Sequence, residues 1–278
     1  MNLKLFCKLS AAALAVYALT VLAWPNALLF LMDDVSASRN GFFAQISFFV
    51  LVVWLLVIIR GLLRARPLVS DWPRPQPALL GVIWLALCVA YTGFEHGWFT
   101  FPDFVYEEDG LFESATALAL LFCAALLFVI GLGRAWRHDR RLGSVAVLMA
   151  VFCGLLFLEE ISWGQRIFGW STPAQFEELN AQQETNLHNM FFGYNQLIRL
   201  VVALLISTSL IYRRAWIRGL NRIGLGELMP SASAIYFVPF LIYAHTYDEL
   251  FEEVVGVFLI AYAINFHRRL ATEARSPD

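Results

Sequence analysis

The chain has 278 residues, of which 59% are hydrophobic and only 15% charged, with a mean hydropathy of +0.64. A soluble domain carries roughly a quarter charged residues, so this composition excludes a water-soluble globular protein and leaves no room for a separate soluble domain. The formal charge of −2, without any long basic tract, argues against nucleic acid as a partner.

Taken in chain order, continuous apolar runs predict eight membrane-spanning helices, over about 9–31, 42–62, 78–99, 112–133, 143–163, 195–213, 232–247 and 250–267. Runs of this length are what hydrocarbon demands of a helix. Barrel strands alternate instead of running continuously apolar. The expected fold is therefore all-α: a polytopic integral membrane helical bundle forming one transmembrane domain over residues 1–278.

The first run opens with Lys4 and Lys8 like a signal peptide. Its apolar stretch continues to Leu31, beyond an ordinary signal core, which favours an uncleaved first span. The connection after the second run, Arg64–Pro77, holds three arginines and four prolines and reads as a connector beside lipid headgroups. The connection Glu95–Glu113 is acidic. It ends in Asp109-Gly110-Leu111-Phe112-Glu113, echoed by Asp248-Glu249-Leu250-Phe251-Glu252. Both motifs are expected to open helices, whose N-terminal dipole favours a carboxylate.

The longest loop covers 164–194. Within it, Thr172-Pro173-Ala174-Gln175 has the pattern of a capping residue, a first-turn proline and a glutamine three after the cap. A short helix over Pro173–Ala181 is predicted there. Phe168, Trp170 and Phe176 suit a position at the membrane interface. Further on, Ser231–Arg269 is read as a hairpin broken near His245–Asp248, because one long helix would strand Arg268 and Arg269 on the wrong side.

Charge is partitioned by side. Under the eight-span reading, 17 of the 20 basic residues fall on one side, Arg39, Arg166 and Arg199 being the exceptions, and 17 of the 22 acidic residues fall on the other. The positive-inside rule then predicts both termini in the cytoplasm, as for a bacterial inner-membrane protein. Cys7, Cys88, Cys123 and Cys153 form no CxxC pair, so neither a disulfide framework nor a thiolate metal site is expected.

The ionisable chemistry gathers at the acidic, outer side. Of five histidines, His96, His188 and His245 fall there; His138 and His267 lie among the cytoplasmic arginines. Glu184 and His188 are four residues apart, as are His245 and Glu249, a spacing that shares one face of a helix. Glu159 and Glu160 end an apolar run, and Glu113 and Glu252 each precede one. An ionisable group at membrane depth faces a partner or a wet cavity.

Glu159, Glu160 and Glu184 are the candidate acid–base groups. His188, His245, Glu249, His96, Glu113 and Glu252 are the candidate metal ligands. A divalent ion (Zn, Fe or Mn) is chemically admissible with such donors, and it would activate water or polarise a carbonyl or phosphoryl oxygen. The plainer alternative makes the outer acids a complement of topology, with Glu159 or Glu160 locked to Arg166 or Arg199.

The functional expectation is a metal-dependent hydrolase or transferase acting on a lipid or lipid-linked substrate within the bilayer. A transporter of a small solute or lipid is a second possibility, disfavoured because the cytoplasmic halves of the spans lack ionisable residues. A non-catalytic module docking a partner through the long outer loop is a third. The sequence defines no protein partner.

Overall fold

The computed structural model describes residues 3–23, 53–54, 56–63, 86, 89–91, 93–94, 97, 100, 110–180, 185–187, 195–245 and 247–273. Among the described residues every regular element is helical and no strand occurs. The principal helices are α1 (Leu3–Ala23), α2 (Leu111–Ile130), α3 (Arg140–Glu160), α4 (Ala174–Leu179), α5 (Asn195–Ile211), α6 (Arg213–Asn221), α7 (Val238–Ala244) and α8 (Asp248–Glu273).

Three helical stretches are long and apolar enough to cross a membrane: Leu111–His138, Arg140–Glu160 and Glu249–Thr272. A fourth is counted if the bent pair Ile198–Ile211 and Arg213–Asn221 forms one span. These match the predicted spans 112–133, 143–163, 250–267 and 195–213. Ala232–Ala244 is apolar but shorter than a full crossing; a helix needs about 20 residues for that. Residues 9–23 of the predicted span 9–31 lie in α1, whose stretch Cys7–Val16 is apolar but shorter than a full crossing; the rest of that span and most of 42–62 and 78–99 lie outside the described residues. Large apolar side chains point outward along the long helices, among them Leu118, Val129, Leu148 and Phe152, each at least 60% exposed. Water tolerates no such surface on a stable monomer, and lipid does. The protein is membrane-embedded.

The chain divides into two compact units. The first comprises Met1–Thr92, Gly193–Arg213 and Ala232–Phe251; the second comprises Gly93–Phe192, Arg214–Ser231 and Glu252–Asp278. In the first unit, α5 buries a stripe of Leu200, Ala203, Leu204, Ser207 and Leu210, the three- and four-residue recurrence of one helix face. This stripe accompanies the packing of α5 on α7 and on the 3-10 turn Ala232–Phe237 that leads into it. Residues 56–63 lie along the far end of α5. There the Trp54 indole donates to Thr208 Oγ1 at 2.6 Å, the Tyr212 hydroxyl donates to the Val57 carbonyl at 2.9 Å, and a Cβ on Gly61 would overlap Ile211.

The second unit is built on α2, α3 and α8. Its core is Cys123, Leu127 and Ile130 of α2, Leu142, Ala146, Ala150 and Cys153 of α3, and Tyr262, Ala263, Phe266 and Leu270 of α8. In lipid the apolar effect does not drive helices together, so close packing over small residues does. Gly143 shows this. A Cβ there would fall 2.7 Å from Trp136 Cα and 2.9 Å from the Gly131 carbonyl oxygen.

A π-helical turn, Gly131–Ala135, lets α2 run on to His138. Asp139 then starts α3 by accepting from the amides of Arg141 at 2.6 Å and Leu142 at 3.4 Å, a side-chain N-cap.

The two echoed acidic motifs do open helices, α2 at Leu111 and α8 at Asp248. The break between α7 and α8 falls at His245–Tyr247, where the hairpin was expected. The short loop helix also forms, with different boundaries and a different start. Pro173 stands before α4 in an extended conformation with ψ of 141°, and Thr172 accepts from the Gln165 side chain at 2.7 Å. It is the Pro173 carbonyl that receives the first helical amides, from Phe176 and Glu177.

Candidate functional site

In the first unit, His245 closes α7. The helix follows directly from a buried 3-10 turn, and Val238, Leu241, Ile242 and Ala244 bury its face. His245 itself is 1% exposed. Its Nδ1 lies against the Ile242 carbonyl; a carbonyl only accepts, so this nitrogen carries the proton. In the neutral ring, Nε2 is then the lone-pair nitrogen. It is buried and has no hydrogen-bond partner among the described residues.

The backbone at this point is held by Arg199 of α5, whose Nε donates to the His245 carbonyl at 3.1 Å. A cation on the terminal carbonyls of a helix is favoured by its dipole and satisfies an otherwise orphaned acceptor. Arg199 is one of the three arginines that the predicted charge partition leaves on the acidic side, and this is one of the contacts it makes. The Tyr247 ring stacks at a tilt between those of Tyr243, 5.6 Å away, and Tyr91, 6.3 Å away. Glu249 is half-buried at the start of α8. Because the helix breaks between them, His245 and Glu249 do not share one helix, so their spacing of four does not by itself align them.

In the second unit, Glu159 is half-buried near the end of α3 and both its oxygens are occupied. Oε1 accepts from the Trp163 indole at 2.7 Å and Oε2 from the Leu187 amide at 2.6 Å. These two bonds tie the carboxylate to the loop that follows α3.

Around it the backbone takes the left-handed conformation at Ser162 (φ 46°), Trp163 (φ 56°) and Gly164 (φ 80°) in succession. That conformation costs a non-glycine residue roughly 1–2 kcal/mol, so neighbouring contacts must hold it. Besides the Trp163 bond to Glu159, the Asn186 side chain donates to buried Ser162 Oγ at 3.2 Å. Asn180 Nδ2 in turn donates to Asn186 Oδ1 at 2.7 Å and to its carbonyl at 2.9 Å. Gln165 clamps the loop from the other side, donating to Thr172 Oγ1 and accepting the Thr185 amide at 2.8 Å. The result is an internally bonded loop that leaves Ile167, Phe168 and Trp170 exposed, with the last two rings stacked at 5.6 Å.

A third group of acids lies between α2 and α8 within the second unit. Gly256 approaches Ala119 so closely that a Cβ would fall 3.2 Å from the alanine methyl. One turn earlier on each helix, Glu253 lies beside Thr116. Glu113 and Glu252 are half-buried near the same helix starts, and both have polar or electrostatic partners. Glu160, the last residue of α3, is half-buried and partnered too.

Among the described residues, no three His, Cys, Asp or Glu side chains form a group able to hold a metal ion. His96, Glu184 and His188 lie outside the described residues. Of the candidate ligands, His245 and Glu249 belong to the first unit, and Glu113 and Glu252 to the second. Sequence reasoning gave no role to Asn180, Asn186 or Ser162, although Ser162 and Asn186 stand in polar blocks, Glu159–Gln165 and Asn186–Asn189, that have the look of motifs. No family model, curated protein or solved structure matches the chain.

Proposed function

We propose that the chain is a multi-pass protein of a bacterial inner membrane, with eight spans and both termini cytoplasmic. Its non-cytoplasmic side carries an active centre on His245 that hydrolyses, or transfers a group from, a lipid or lipid-linked substrate. The observation that supports this is Nε2 of His245: buried, without a partner among the described residues, and fixed as the acceptor nitrogen by the Ile242 carbonyl. A buried polar atom left without a partner carries a cost of about 1–3 kcal/mol, and such atoms need an explanation. A base awaiting a proton is one.

In this reading Nε2 takes a proton from a water or hydroxyl as its oxygen attacks a carbonyl or phosphoryl centre. The same nitrogen then returns the proton to the departing oxygen. Arg199 holds the turn that aims the ring. In the metal-dependent form, Nε2 would instead bind a divalent ion, with Glu249 of the same unit as a further ligand, and the ion would activate water or polarise the substrate oxygen.

The test compares purified wild type with His245→Ala in vesicles of bacterial lipid extract, following lipid products by mass spectrometry and metal content by elemental analysis. Wild type is expected to convert lipid, and the variant to lose at least roughly a hundredfold in rate, the lower end for a general base, with an unchanged melting temperature. Equal turnover by both proteins, or none by wild type, overturns the reading. Metal present in wild type and missing from the variant selects the metal-dependent form.

A second reading is supported by the outer loop. A segment tied internally by Glu159, Gln165 and Asn186, with exposed Ile167, Phe168 and Trp170, has the build of a docking surface for a protein partner.

A further inference from the structure

Helix α6 is unlike the other principal helices. Its side chains separate into an apolar side, Trp216, Ile217 and Leu220, and a basic side, Arg214 and Arg218, which Arg222 extends just past the helix end. These three arginines recur every four residues, so they lie along one face, and all three are exposed. None has a side-chain partner among the described residues.

The surroundings in the second unit carry the same character. After α6 the chain docks on the core of α2, α3 and α8 through Leu225 and Leu228. Gly224 comes against Asp139, 3.9 Å from its carboxylate by a constructed Cβ. This brings the segment just past α6 to the turn between α2 and α3, where Arg137, Arg140 and Arg141 are exposed. Asp139 is the acid in that turn, and its Oδ1 is engaged in capping α3. A tryptophan stands close in the chain to each group of arginines, Trp136 beside Arg137 and Trp216 between Arg214 and Arg218, and both are exposed.

On the neighbouring helices Leu132 and Leu148 are exposed, apolar surface suited to lipid within a few turns of Arg137 and Arg141 in the chain. Guanidinium groups above a hydrocarbon-facing surface, with indoles at the boundary, match the layering of a phospholipid: phosphate, glycerol level, acyl chain. An amphipathic basic helix is the usual device for lying in that plane.

We propose that this arginine-rich end of the second unit is a binding surface for anionic phospholipid headgroups, held by Arg214 and Arg218 of α6 together with Arg137 and Arg141. Each guanidinium offers a fork of donors to phosphate oxygens, and each basic group near an anionic leaflet contributes about fivefold in affinity. The patch is chemically distinct from the His245 centre, and the inference stands whichever leaflet this end faces.

The test uses the full chain purified in detergent, exposed to equal amounts of phosphatidylglycerol and phosphatidylcholine, with co-purifying lipid counted by mass spectrometry. Wild type is expected to retain phosphatidylglycerol over phosphatidylcholine by roughly fivefold or more, the factor that one such contact contributes. The double variant Arg214→Gln/Arg218→Gln is expected to lose most of this preference at an unchanged melting temperature. Should that variant misfold, Arg214→Lys/Arg218→Lys preserves the charge and substitutes for it: a retained preference that falls as salt is raised supports the surface, and a preference insensitive to salt overturns it. Equal retention of the two lipids by wild type overturns the proposal. So does displacement of phosphatidylglycerol by millimolar inorganic phosphate, because the site would then recognise free phosphate and not a membrane surface.

Discussion

Both carboxylate oxygens of Glu159 are spoken for, one by the Trp163 indole and one by the Leu187 amide, whereas Nε2 of His245 has no such partner among the described residues. The two residues looked alike in the sequence, as ionisable groups near the end of an apolar run. Their contacts separate them into an anchor and a candidate base. Replacing Glu159 by Gln keeps one acceptor oxygen but turns an amide group toward the second donor. A hydrogen bond to a charged group is worth about 1.5–3 kcal/mol, and the left-handed residues Ser162 and Trp163 lose part of what restrains them. Glu159→Gln is therefore expected to lower the melting temperature and to open the loop between Gln165 and Thr185 to limited proteolysis. An unchanged digestion pattern and melting temperature would remove the anchoring role.

The α2–α3 hairpin depends on glycine in a way that differs from the usual helix penalty. Alanine in place of a helical glycine ordinarily gains about 1 kcal/mol. At Gly143 the added methyl would meet backbone, Trp136 Cα at 2.7 Å and the Gly131 oxygen at 2.9 Å, and backbone cannot rotate away. Overpacking costs about 1–3 kcal/mol, and contact with fixed atoms puts this site at the upper end. Gly143→Ala is expected to destabilise the protein by about 1–2 kcal/mol net. Gly133, with nothing within 4 Å of a constructed Cβ, is the control, and Gly133→Ala should be neutral or mildly stabilising. Thermal denaturation of the two variants side by side checks this, and equal melting temperatures would contradict the packing account.

The partition of 17 of 20 basic residues against 17 of 22 acidic ones concerns the whole chain. Reporter fusions placed after Asp278 and within Thr172–Asn189 are expected to signal opposite sides of the membrane, cytoplasmic and non-cytoplasmic respectively. A same-side result would overturn the topology, and the assignment of His245 to the non-cytoplasmic side with it. Arg199 fits this picture from the other direction. An arginine on the acidic side runs against the general bias, and it is the one that holds the carbonyl end of α7.

Membrane embedding, the long apolar helices and the helix starts at the two acidic motifs were legible in the sequence. Hydrocarbon acts on each side chain almost independently, so a sum over a window of residues suffices to find a span. The break at His245–Tyr247 was legible for a similar reason, through the cost of placing Arg268 and Arg269. What the tertiary structure decided were the partners. Glu159 finds Leu187 28 positions away and Arg199 finds His245 46 positions away, and no local pattern encodes either pair. The cap at Thr172 was misjudged because Pro173 stays extended and its carbonyl takes the first helical amides, which moves the helix start one residue on. Solvation is a property of residues one at a time, whereas a hydrogen bond belongs to two groups whose meeting is set by how the helices pack.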